Sequence, residues 1–179
     1  MTSSRACHMG LSTALLAVSA MVTVPFGPVP FTLQTMVLAL LPVVLGGRDA
    51  VCSVALYLLL GAVGLPVFSG LSGGVAHLLG PTGGFLWGFL IGTALAVVVC
   101  GLRSIPERTR FSLGALLMLT ASYAAGTAQL SWVMGVSPRA AAAMAVLPFV
   151  GPDLVKMFVG VSVGLSVRRA LGLDRSKSA

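Results

Sequence analysis

Residues 50–102, between Asp49 and Arg103, contain no Asp, Glu, Lys or Arg, a run of 53. One helix needs only about 20 apolar residues to cross the hydrocarbon core of a bilayer, so the chain must turn back inside this run. Glycine and proline mark the turns, in "GLPVFSGLSGG" (64–74) and "GPTGG" (80–84). A third span is expected over residues 50–65 and a fourth over 82–102. Upstream, residues 11–24 and 32–45 read as spans one and two, divided by "PFGPVPF" (25–31), whose prolines cannot continue a helix. Downstream, residues 111–135 read as span five, 139–147 as a short alanine-rich helix, and 152–171 as span six, with proline in its first turn.

Only 8% of the 179 residues are charged and 57% are hydrophobic, against about 25% charged in soluble domains. The expected class is all-α: a polytopic membrane protein of six helices in one bundle, a single membrane domain over residues 1–179. The longest hydrophilic piece is "RSIPERTR" (103–110). Arg5 precedes an apolar run as in a signal peptide, but no A-x-A-like cleavage site follows where one is expected, so the run is kept as span one. The net charge of +7 bears on topology rather than on a polyanionic partner such as nucleic acid. With six spans, Arg5, Arg48, Arg103, Arg108, Arg110, Arg168, Arg169, Arg175 and Lys177 fall on one side and Arg139 alone on the other. The positive-inside rule then puts both termini in the cytoplasm. Cys7, Cys52 and Cys100 are scattered, with no CxxC pair and no histidine at ligand spacing, so neither metal nor disulfide is indicated.

Against this background "PFVGPDLVKMFVG" (148–160) stands out, because it places Asp153 and Lys156 on one helical face within the membrane. An intramembrane charge costs about 2.5–3.5 kcal/mol at the helix centre and usually meets a partner or a cavity. In a structural reading, Asp153 caps the start of span six while Lys156 snorkels to the interface. In a functional reading the pair lines a pocket: the carboxylate accepts N–H donors from a ligand and the ammonium donates to a carbonyl or carboxylate. Two nearly uncharged segments, 25–35 and 69–85, belong on the same side. They offer Thr32, Gln34, Ser72 and Thr82 as neutral hydrogen-bonding groups, and Gly73, Gly74 and Gly83 where backbone can approach a ligand beside Phe85. His77 is a lone histidine that fits a structural role or a ligand contact. Tyr123, Gln129 and Trp132 fit packing at least as well as binding. On span one, Gly10 with Ala14 and Thr13 with Ala17 form small-xxx-small pairs that suit either internal packing or a partner subunit.

Four ordered blocks, "PVPFTLQT" (28–35), "YLLLGAVGLPVF" (57–68), "GPTGGFLWGF" (80–89) and "LPFVGPDLVK" (147–156), resemble the BioY family, the biotin-specific substrate-binding (S) components of energy-coupling factor (ECF) transporters. The resemblance runs from span one to span six. It implies capture of biotin from outside, with a transmembrane coupling subunit and a pair of cytoplasmic ATPases as partners, and no cofactor. It further implies that Asp153 and Lys156 contact the vitamin, that residues 28–34 act as a cover, and that the small-residue surface of span one meets the coupling subunit. "FVGPD" departs from the Leu-Pro-Gly-Asp of many relatives. A stand-alone or proton-coupled carrier of biotin or a similar vitamin is the alternative. An enzyme is disfavoured, since no carboxylate pair, Ser–His arrangement or HExxH is found, and neither glycine-rich loop carries the lysine of a P-loop.

Overall fold

A computed structural model describes residues 3–25 and 27–172; Arg175 and Lys177 of the charge count lie outside them. The described chain runs α1 (Ser3–Met21), β1 (Thr23–Val24), β2 (Phe31–Thr32), α2 (Gln34–Val44), α3 (Gly47–Ala62), α4 (Val75–Leu79), α5 (Gly83–Cys100), α6 (Glu107–Met134), α7 (Pro138–Ala145) and α8 (Leu147–Ala170). Each expected span has its helix, with shifted ends. Span one stops at Met21 rather than reaching residue 24, because Thr23 and Val24 pair antiparallel with Thr32 and Phe31. The proline loop is thereby closed into a hairpin.

The larger correction falls at the last span. Helix α8 begins at Leu147, immediately after Val146, whose φ of −124° and ψ of −54° break the chain between α7 and α8. Pro148 sits in the first turn, where its missing N–H is no loss. Pro152 lies inside the helix, where it withholds one backbone bond. Asp153 is therefore in the second turn and not at a helix start. The start of α7 follows local rules: Ser137 accepts from Ala140 N–H at 3.3 Å, with Pro138 next.

Three helix pairs set the directions in the bundle. Gly84, Gly88 and Gly92 recur every fourth residue on α5 and seat it against α6. A Cβ added at Gly88 would lie 2.5 Å from Ser122 Cα, and one at Gly92 would lie 2.7 Å from Met118 O. Ascending residues of α5 meet descending residues of α6, so the pair is antiparallel. Helices α2 and α8 run parallel: Thr35 meets Asp153, Met36 meets Gly160 and Val43 meets Gly164. Helices α1 and α3 also run parallel, with Arg5 bonded to Asp49 at one end and Thr13 Oγ1 donating to Ser53 O at 3.1 Å further along. Thr13 and Ala17 are consequently buried, whereas Gly10 and Ala14 are exposed. The two small-residue pairs of span one thus form adjoining edges of one stripe, of which the Thr13–Ala17 edge packs inside the bundle and the Gly10–Ala14 edge stays open.

Helices α5, α6 and α8 are each long and apolar enough to cross a membrane. At 11 residues α2 rises only about 16 Å, short of the roughly 30 Å core, so a crossing there draws on flanking residues. Leu11, Val98, Val155 and Phe158 point outward and are exposed, the apolar exterior expected where lipid is the solvent. The hairpin and the starts of α2, α5 and α8 share one end of the bundle, here the hairpin end. Arg103, Arg110 and Arg168 share the other, the arginine end.

Candidate ligand-binding site

At the hairpin end a cavity of about 70 Å³ lies between the hairpin, the N-terminal parts of α2, α5 and α8, and the middle of α6. Its floor is the Asp153–Lys156 pair. Both side chains are buried and form an ion pair through Asp153 Oδ1 and Lys156 Nζ. Thr35 Oγ1 donates to Asp153 Oδ1 at 3.0 Å from α2, and Tyr123 OH donates to Oδ2 at 2.6 Å from α6. Lys156 Nζ donates to Thr32 O of β2 at 2.7 Å and sits 4.0 Å from the Phe31 ring centroid.

These contacts decide between the two readings of the pair. Among the described residues, the partners of the carboxylate are the side chains of Thr35, Tyr123 and Lys156, not the N–H groups that a cap would satisfy, and the ammonium is fastened inside the bundle instead of snorkelling outward. A carboxylate has about four lone-pair sites and an ammonium three donors. Among the described residues three of the first and two of the second are engaged, which leaves the floor one hydrogen bond to accept and one to donate. The walls are apolar: Phe68, Phe85, Phe89 and Phe149 line them, and Phe31 stacks on Phe149 with centroids 6.2 Å apart.

Of the other sequence-predicted residues, Thr32, Gln34, Thr82 and Phe85 line the cavity. Thr32 Oγ1 donates to Gln34 Oε1 at 3.1 Å, and Gln34 Nε2 donates to Tyr57 OH at 2.9 Å. Tyr57 OH in turn donates to Val67 O at 3.1 Å, which ties the hairpin to the loop after α3. Gly73, Gly74 and Gly83 do not line the cavity, although Gly73 lines an adjoining vestibule of about 630 Å³. Gly73 packs on the Leu65 carbonyl, Gly74 holds a φ of +97° before α4, and Gly83 packs on Leu78 O and Gln129. Their lack of a side chain serves the protein's own turns. Gln129 Nε2 donates to Leu78 O at 2.9 Å and Gly80 O at 2.7 Å, also a structural role, and Trp132 is exposed. His77 lines both the cavity and that vestibule. Its Nδ1 lies 3.3 Å from Ser72 Oγ and its ring stacks on Phe68. Burial pushes the imidazole below its ordinary value, which leaves it neutral at pH 7. Thr35, which the sequence does not single out, and Tyr123, which it leaves between packing and binding, are both bonded to Asp153.

This geometry can be set beside known proteins. The BioY family model matches residues 1–173. The chain belongs to the BioY family. "Biotin transporter BioY" of Thermotoga maritima is 39% identical over 161 residues, covering 89% of this chain and 93% of that protein. "Probable biotin transporter BioY" of Pyrococcus horikoshii is 41% identical over 155 residues, covering 87% and 90%. The solved S-component for biotin from an ECF-type ABC transporter superposes with a TM-score of 0.86 over 94% of this chain and 95% of that one, at 24% identity. That likeness establishes a shared fold. With three apolar helices of spanning length and transporters as relatives, this BioY-family chain is an integral membrane protein.

Proposed function

We propose that this chain is the biotin-capturing S component of an ECF-type transporter, taking the vitamin from the outer face of the cell membrane. One observation carries the reading: a buried, cross-braced carboxylate–ammonium pair keeps one acceptor and one donor for a guest, at the floor of an aromatic cavity, in a chain of the BioY family. The ureido ring of biotin offers N–H donors and a carbonyl, and its thioether ring and aliphatic chain suit apolar walls. Asp153 then accepts from the ring and Lys156 donates to it, with Thr32, Gln34, Thr82 and Phe85 around them and residues 28–34 as cover. The alternating directions of the six longer helices and the clustering of arginine at one end support six crossings with both termini in the cytoplasm. A transmembrane coupling subunit and separate ATPases would supply the energy, in keeping with the lack of a P-loop lysine motif in the sequence. Exposed Gly10 and Ala14 on α1 are the surface offered to that subunit.

Calorimetric titration of the purified protein in detergent tests this. Biotin is expected to bind saturably, and Asp153→Asn and Lys156→Ala are each expected to weaken binding by roughly 2–5 kcal/mol. Unchanged affinity in both variants would return the pair to a purely structural role, and no binding by the parent protein would refute the ligand.

A further inference from the structure

The arginine end holds a second cleft, about 720 Å³, unconnected with the vitamin site. Arg168 lies 15 residues beyond Asp153 on α8, about 22 Å along the helix. Arg103, Arg110 and Arg168 line the cleft against a single carboxylate, Glu107. Arg168 is partly engaged: Nη1 donates to Val43 O at 3.0 Å, and Nε lies 3.0 Å from Glu107 Oε1. Arg110 reaches Glu107 only at 3.8 Å, and its Nε is buried without a hydrogen-bond partner. Arg103 has no hydrogen bond or ion pair among the described residues. One carboxylate cannot neutralise three guanidiniums, so the cleft keeps a surplus of positive charge and unused N–H donors.

Two further features favour an anion. Helices α3 and α6 both begin at this cleft, after Gly46 and Pro106, and neither start has a side-chain cap. Their free N–H groups and dipoles add positive potential, which Asp49 and Glu107 in the two first turns offset only in part, since each is itself paired with arginine. The remaining lining includes Pro42, Val97 and Ile105, an apolar flank that a free ion does not need and an acyl chain can use, while Phe111 is buried beneath the Arg110 and Arg168 guanidiniums. We propose that this cleft binds the phosphodiester headgroup of an anionic membrane lipid, with Arg103 and Arg110 as its principal donors.

The test compares thermal unfolding of the detergent-purified protein with added phosphatidylglycerol or phosphatidylcholine. Phosphatidylglycerol is expected to raise Tm more than phosphatidylcholine does. The excess should fall by half or more in Arg103→Gln/Arg110→Gln, while biotin affinity stays at the parent value. If the double variant does not fold, Arg103→Gln alone, at an exposed residue without a partner, should still lose part of the excess. Equal shifts from the two lipids, an undiminished excess in the variants, or a full shift from inorganic phosphate at matched ionic strength would each overturn the assignment.

Discussion

Asp153 is held from three directions: Thr35 on α2, Tyr123 on α6 and Lys156 on its own helix. Hydrogen bonds to a charged group contribute about 1.5–3 kcal/mol each. Tyr123→Phe is therefore expected to lower Tm and to weaken biotin binding, by less than Asp153→Asn does, when both are followed by calorimetry. His77 gives a pH signature. Its folded-state pKa lies below that of the unfolded chain because the cation is disfavoured by burial. As pH falls through about 6.5, the unfolded state takes up the proton first and stability declines, whereas between pH 7 and 8 it is flat in this respect. Thermal unfolding across pH 5–8 should show that decline, and His77→Gln should reduce it. The two charges were legible in sequence because an ionic group in an apolar run demands compensation. The roles of Thr35 and Tyr123 were not, since a hydroxyl on a helix can bond within its own turn, as Thr120 does to Leu116 O and Ser166 to Ser162 O. Sequence alone does not distinguish a hydroxyl satisfied at home from one lent to a neighbour.

At the scale of elements, the helices were readable from charge-free length and from proline, and their ends were less so. The start of α8 was misplaced because Gly-Pro-Asp has the composition of a helix start, while the actual break at Val146 depends on how α7 packs beneath the hairpin through Ala141 and Ala145, clustered with Val29 and Phe149. Small-residue spacing was noticed on α1, yet the tightest seam is between α5 and α6. Spacing reports what can approach closely, and the partner comes from tertiary structure. A matched pair of substitutions separates the two cases. Gly88→Ala forces the backbones of α5 and α6 apart and should cost about 1–3 kcal/mol. Gly10→Ala meets open space and, by helix propensity, should be neutral or stabilise by up to about 1 kcal/mol. Denaturant unfolding of both proteins in detergent reads the difference.

For the whole molecule, the three helix pairs, joined through the hairpin and the ends that meet at the cavity, give the six longer helices alternating directions, and the proposed topology takes the arginine end as the cytoplasmic one. Cysteine labelling in a cysteine-free background checks this. Ser137→Cys, before α7, should react with a membrane-impermeant maleimide in intact cells, and Ser104→Cys, between α5 and α6, only after permeabilisation. The reverse pattern would invert the proposed topology.

Lys156 has a double allegiance: it holds the backbone of Thr32, the inner strand of the doorway, and in the proposed function it is also a donor to the newcomer. A third donor is left for that newcomer, so the strand has to move only to open the way in, and its latch to Lys156 can re-form once the vitamin is seated. In stopped-flow mixing, the filling rate should climb with vitamin concentration and then level off at the rate at which that strand escapes.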